Sequence, residues 1–300
     1  MDLYFAGAEA FGDILKDEAF NVLMSYYYIK NSDKLERVVE STVSNKIFID
    51  SGAFTAWTKG SIINVDEYIE WINNHSEHIS LYGQIDVIPG DRVKGHTQEQ
   101  VKEAARATWE NYLYMRPKMK NPEGLLYTFH VGEPFEYLQK ALEWADENGK
   151  HIPYIAFGGM VGKSMPVKKS FLDRCFKIIK ASSNPDVKVH AFGMTSFSLL
   201  SEYPITSADS TSWIMTGANG GIMTDMGTID VSEQNAKFPN HWSHLDNNHL
   251  KQINTQLKEY GFTLDELSTD YRARLKYHLR YMYNKALNLK QAYKPKKSLF

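Results

Sequence analysis

Five short apolar runs in this chain end on residues that can act on a ligand or let one approach. Asp50 closes Ile47-Phe48-Ile49, Asp86 follows Gln84-Ile85, and Asp209 follows Ile205-Thr206-Ser207-Ala208. His130 closes a run that begins at Leu125, and Gly158-Gly159 closes Ile155-Ala156-Phe157. Singly, each has an ordinary explanation: an aspartate caps a helix, a histidine is satisfied structurally, a Gly-Gly pair makes a turn. Three carboxylates gathered in one pocket are different. One can stay ionised as a nucleophile while another, pushed up in pKa by burial and by its neighbours, carries a proton as general acid and base. That pair suits substitution at an anomeric carbon. A carboxylate attacks C1′, positive charge develops on the sugar, and the second carboxyl manages the leaving base. Gly158 and Gly159 would let backbone amides approach a flat ligand. Phe54 and Phe192 could stack on its faces, although either ring would also serve in a core.

Positioning these groups requires a fold that brings distant strand ends together. Strand-like runs fall at residues 3–6, 22–28, 47–50, 81–88, 125–131, 152–157, 187–192 and 205–208. Helical patterns at 8–16, 33–44, 66–75, 97–114, 134–148 and 167–181, and one beginning at 196, separate most of them. Eight strands alternating with helices predict a closed parallel (β/α)8 TIM barrel, in which every C-terminal strand end shares one rim. The alternative is an open doubly wound sheet, but no GxGxxG stands at a strand-to-helix turn. After Trp213 the pattern changes. Residues 217–227 are Gly- and Met-rich and read as a loop, 241–249 are polar, and 252–260 and 264–289 read as helices. The expected division is a barrel over 1–215, then a loop and helical extension over 216–300, packed on the barrel and ending in a basic helix.

Composition narrows the class. Three hundred residues, 43% of them hydrophobic, can bury a large core. The single cysteine, Cys175, excludes an intrachain disulfide and a multi-cysteine metal site, and reads as a packed thiol in a helix. His241, His244 and His249 lie in a polar stretch without cysteine and read as solvated, so no metal and no cofactor is expected. No run of 18 apolar residues occurs, and no basic leader with an apolar core, which predicts a soluble cytoplasmic protein with no membrane partner. The net charge of −2 conceals an asymmetry: nine Lys/Arg and no Asp/Glu lie between Arg272 and Lys297. The rest of the chain then holds 25 basic and 36 acidic residues, a net of −11. In that basic stretch Arg272, Arg274, Lys276, Arg280 and Lys285 interleave with Tyr271, Tyr277, Tyr281 and Tyr283. Such a helix could track a phosphate backbone and stack on bases, or be a solvated face packed by its tyrosines.

The ordered set of strand-end motifs resembles a known family. Asp50-Ser51-Gly52-Ala53-Phe54 is similar to the Asp-Ser-Gly-Gly-aromatic motif of the tRNA-guanine transglycosylases. Gln84-Ile85-Asp86, His130-Val131-Gly132, Phe157-Gly158-Gly159-Met160, Phe192-Gly193-Met194 and Ala208-Asp209-Ser210 follow in the family's order, over roughly residues 1 to 215. Carried over, the resemblance makes Asp209 the nucleophile on C1′ and Asp50 the general acid/base. Asp86 and His130 would meet the polar edge of the base, with Ser51 beside them; Phe54 and Phe192 would sandwich the ring, and Gly158 and Gly159 would offer backbone contacts. The family has Gln where His130 stands and a second Gly where Ala53 stands. Its C-terminal zinc subdomain needs three Cys and a His, which this chain cannot supply. The chain therefore looks more like the phage and bacterial DpdA group, which exchanges guanine in DNA for a 7-deazaguanine such as preQ0. The implied partners are DNA, with its guanine flipped out or single-stranded, and the free 7-deazaguanine base. A second copy of the chain, as a homodimer, is the remaining partner considered. The alternatives are the same chemistry on tRNA, a non-catalytic nucleic-acid-binding barrel, and a small-molecule N-glycosidase.

Overall fold

Eight parallel strands close on themselves in chain order, each beside the next and the last beside the first. They are β1 (Asp2–Ala6), β2 (Asn21–Ser25), β3 (Ile47–Asp50), β4 (Leu81–Gly83), β5 (Leu125–His130), β6 (Tyr154–Gly158), β7 (Lys188–Ala191) and β8 (Ser207–Ser210). This computed structural model describes residues 1–16, 19–41, 46–91, 93 and 95–293. Closure is made by β1 against β8, with Tyr4 opposite Asp209, and it removes the open-sheet alternative. The strand middles are mostly apolar because both of their faces are covered, and the polar residues gather towards the strand ends. Alternation divides their side chains into two sets. Tyr4, Ala6, Leu23, Phe48, Leu126, Tyr154 and Ala156 pack together in one cluster, the barrel interior. Leu3, Phe5, Val22, Ile49, Tyr127, Phe129, Ile155 and Phe157 join the other, against the helices.

Local chemistry sets several helix starts. Thr97 accepts from the Gln100 amide while the Gln100 side chain accepts from the Thr97 amide, and this capping box opens the helix Gln98–Met115. Asn64 accepts from the Asp66 and Glu67 amides at the start of Val65–Asn74. Cys175 is buried within Met165–Ala181, as a packed thiol should be.

Several expected elements are shorter or different. The second strand stops at Ser25, and Tyr26–Ile29 is a helical turn. The fourth stops at Gly83, and residues 84–88 are held by the helix Gln98–Met115. The Val87 amide donates to Thr108 Oγ1 at 2.9 Å, and Asn111 Nδ2 donates to Ile85 O at 2.9 Å. The helix expected over 134–148 is Phe135–Glu143. Beyond it the Asp146 carboxylate accepts the amides of Asn148 and Lys150 and turns the chain. Residues 217–227 are not a loop: the helix Ser212–Ala218 leads into an antiparallel hairpin of β9 (Gly221–Thr224) and β10 (Gly227–Asp230). His241 is 3% exposed, bonded to Ser243, and so is not solvated.

The C-terminal helix expected over 264–289 is two helices, Leu264–Thr269 and Tyr271–Leu287, divided at Asp270, which caps the second by accepting from the Arg272 amide at 2.7 Å. The second packs on β1 and on Ser212–Ala218. It bonds Trp213 O through His278 Nδ1 at 2.9 Å, and Ala286 O near its far end accepts from the N-terminal ammonium at 3.2 Å. It therefore lies along the outside of the closing strands as part of the barrel's helical layer. The expected boundary at 215/216 falls inside the helix Ser212–Ala218. Among the described residues no helix is long and apolar enough to cross a membrane.

Candidate active site

The strand that carries Asp50 ends in a turn built around it. Asp50 Oδ2 accepts from the Gly52 amide at 3.1 Å, and Gly52 takes φ 73°, where a side chain is strained. A Cβ on Gly52 would also stand 2.6 Å from both Ser25 Oγ and Tyr27 Cβ, so the turn packs against the end of β2. Ser51 is 2% exposed and its Oγ accepts from the Ala53 amide at 3.4 Å. The hydroxyl thus helps to close the turn beside Asp50. Tyr68, from the helix Val65–Asn74, donates its hydroxyl to Gly83 O at 2.8 Å and so braces the strands next to Asp50 and Asp86.

Burial pushes the Asp50 carboxyl up to about 7, and the charges of Asp86 and Asp209 push in the same direction against the help of the Gly52 and Ser51 amides. Residues distant in sequence thus act on one another across a single mouth. Near neutral pH Asp50 exchanges its proton readily, whereas an ordinary aspartate would be fully ionised.

Asp209 is 7% exposed and held on two sides. Its Oδ1 accepts from the Gly193 amide at 2.8 Å, and His190 Nε2 lies 3.2 Å away. Gly193 reaches it from φ 61°, and a Cβ there would stand 2.4 Å from Val161 Cγ2. Behind His190, Nδ1 lies 2.7 Å from Ser207 Oγ, which lies 2.6 Å from the Tyr154 hydroxyl. A consistent donor order runs Tyr154 O–H to Ser207, Ser207 O–H to His190 Nδ1, and His190 Nε2–H to Asp209. Sequence reasoning passed over His190. The signal was its place two residues before Phe192, on the strand face that points inward.

Asp86 and His130 meet on the opposite wall. His130 Nε2 is 3.3 Å from Asp86 Oδ2 and Nδ1 is 2.9 Å from Glu133 Oε1. Burial opposes a charge on His130, but Asp86 and Glu133 together outweigh it and hold its pKa well above the ordinary histidine value. In its protonated form the ring donates from both nitrogens, one to each carboxylate. Gln84, also unforeseen, donates Nε2 to Asp86 Oδ1 at 3.3 Å. Glu133 Oε2 and Gln84 Oε1 are buried without a hydrogen-bond partner. Gly158 is explained by the same ring: a Cβ there would lie 2.4 Å from His130 Cδ2. Gly159 is exposed, with φ 72°.

The two expected stacking rings are placed differently. Phe192 packs against His190 at 4.6 Å and Phe48 at 5.5 Å between ring centroids, at the top of the barrel interior. Phe54 is 63% exposed on the helix Ala53–Thr58 and pairs with Trp57 at 5.8 Å. Of the basic residues expected to meet nucleic acid, Arg274 is a correction. It is 6% exposed, and its guanidinium donates to Gly217 O at 2.9 Å and Leu267 O at 2.8 Å, which locks helices together. Lys285 is paired with Asp225 at 2.6 Å, and Arg280 donates to Tyr260 O at 3.1 Å. Tyr277 and Tyr281 are buried, and Tyr271 and Tyr283 pack on Phe11 and Phe20, so none of the four is free to stack on a base. Arg272 is exposed and Lys276 half-buried on the same helix. A separate groove, between Phe135–Glu143 and Met165–Ala181 and bounded by Tyr293, lies on the outer layer and holds none of the strand-end carboxylates.

No protein-family model matches the chain, and no curated protein matches it either.

Proposed function

We propose that this chain is a base-exchanging transglycosylase that replaces guanine in DNA with a 7-deazaguanine of the preQ0 kind. One observation carries the proposal: Asp50, Asp86 and Asp209 converge at one barrel mouth, closely enough that the latter two help raise Asp50 to about 7. Asp209, fixed by the Gly193 amide and His190, attacks C1′ of the nucleotide, and the bond from C1′ to the base breaks with its electron pair going to the base. The Asp50 carboxyl gives its proton to the departing guanine. The incoming deazaguanine then loses its ring N–H proton to Asp50 and attacks C1′, and Asp209 leaves as the carboxylate. Two displacements return the sugar to its starting configuration, and the proton balance closes on Asp50.

The opposite wall suits the base. Asp86 accepts from ring and exocyclic N–H groups, and His130, held between Asp86 and Glu133, fixes the orientation of that carboxylate. Asp50, Asp86 and Glu133 around one histidine favour a ligand edge rich in N–H donors, which guanine and its 7-deaza relatives present.

The test offers single-stranded DNA, duplex DNA and tRNA to the protein with labelled preQ0. Incorporation into DNA that disappears in Asp209→Asn supports the proposal. Incorporation into tRNA alone moves the chemistry to that polymer. Undiminished incorporation by Asp209→Asn overturns the nucleophile, and none with any polymer overturns the function.

A further inference from the structure

The rim beside the Asp50 turn carries aromatic side chains that the base-exchange chemistry does not use. Tyr27 and Tyr28 sit on the helical turn Tyr26–Ile29 directly after β2, and Phe54 and Trp57 sit on Ala53–Thr58 directly after β3. Both elements therefore stand at C-terminal strand ends, on the carboxylate side of the barrel. Tyr28 is 50% exposed and Phe54 63% exposed. Tyr27 and Tyr28 meet edge-on at 5.4 Å, and exposed Lys59 holds its ammonium 5.2 Å from the first ring and 5.0 Å from the second. The contact of Tyr27 with the Gly52 position ties this cluster to the Asp50 turn. Across residues 26–31 and 53–62 the only charged side chains are Lys30 and Lys59, both cations.

Exposed rings on two segments whose only charges are cations form a surface for stacking bases beside phosphates. We propose that this rim binds single-stranded nucleic acid, with bases stacked on Tyr28 and Phe54 and a backbone phosphate on Lys59. The identity of the nucleotide that then enters the mouth rests on the function proposed above; the docking surface does not. The assignment moves the polymer away from the helix Tyr271–Leu287, whose tyrosines are committed to packing.

Fluorescence anisotropy of a labelled single-stranded oligodeoxynucleotide, and of RNA with the same sequence, tests the surface in the full chain. Tyr28→Ala and Phe54→Ala should each weaken binding about fivefold or more, the loss expected for one stacked base. Lys59→Ala should lower the slope of log affinity against log salt by about 0.7, one phosphate contact on a single strand. All three side chains are exposed, so folding is preserved, and circular dichroism verifies it. Wild-type affinity and salt slope in all three variants overturn the surface and leave the base-exchange chemistry standing. Weakened binding in the variants, with no base exchange by the wild type, keeps the surface and overturns the chemistry. No binding of either oligonucleotide by the wild type also overturns the surface.

Discussion

Replacing Asp50 with Asn should make the protein more stable and abolish the proposed base exchange, with the stability gain depending on pH. The carboxyl has an ordinary value of 3.8 and reaches about 7 in the fold, mainly through burial and then through Asp86 and Asp209. A carboxyl whose folded pKa is raised binds its proton more tightly folded than unfolded, so between these values the folded state holds the extra proton. Stability therefore falls as pH rises through that window, and the penalty is full above about 7 and absent below 3.8. At about 1.36 kcal/mol per pH unit the gap has an upper bound of roughly 4 kcal/mol. Asparagine keeps the shape and removes the charge, so Asp50→Asn should gain up to that amount at pH 8 and almost nothing near pH 4. At about 2 °C per kcal/mol the gain at pH 8 is several degrees in Tm. The assay is thermal unfolding of both proteins across that pH range, with base exchange measured alongside. A Tm difference that is the same at pH 4 and pH 8 would refute the reasoning, because it would mean that Asp50 titrates in the fold as it does in water.

Other outcomes follow from the same geometry. His190→Phe removes the bonds to Asp209 and Ser207 at similar volume, and should lower the kcat of the proposed base exchange roughly a hundredfold through misplacement of Asp209 with KM little changed; His190→Gln, which keeps a donor, should recover part of it. Gly158→Ala drives a methyl to 2.4 Å from His130 Cδ2, so the ring must leave Asp86. NMR titration should then place His130 nearer its ordinary value, at a cost of about 1–3 kcal/mol in denaturant unfolding. Arg274→Met leaves Gly217 O and Leu267 O without their donor and should cost about 2–4 kcal/mol. It should leave the salt dependence of oligonucleotide binding unchanged, since a buried guanidinium meets no phosphate.

The sequence by itself determined the barrel and the placement of acids on it. Strand length, apolar runs and helix caps such as Thr97 act within a few residues, and in a closed parallel barrel every C-terminal strand end lies on the same rim. The sequence therefore places Asp50, Asp86, His130 and Asp209 on one rim, where Asp50 lies within electrostatic reach of Asp86 and Asp209 and His130 pairs with Asp86. What those groups are paired with was decided only by tertiary structure. His190 looked like one more residue of an apolar strand until β7 and β8 came side by side and set it against Asp209. Glu133 and Gln84 acquired their roles from the side chains they meet across a turn and a strand end. The basic helix showed the opposite case. Its charge pattern resembled a phosphate-binding face, but packing on β1 and Ser212–Ala218 buried Arg274 and its tyrosines. Periodicity reports which residues share a face, whereas the partner against that face, and hence its dielectric and its hydrogen bonds, is a property of chain segments far apart in sequence. The proton on Asp50 is the clearest instance, since burial and two carboxylates from other strands put it there.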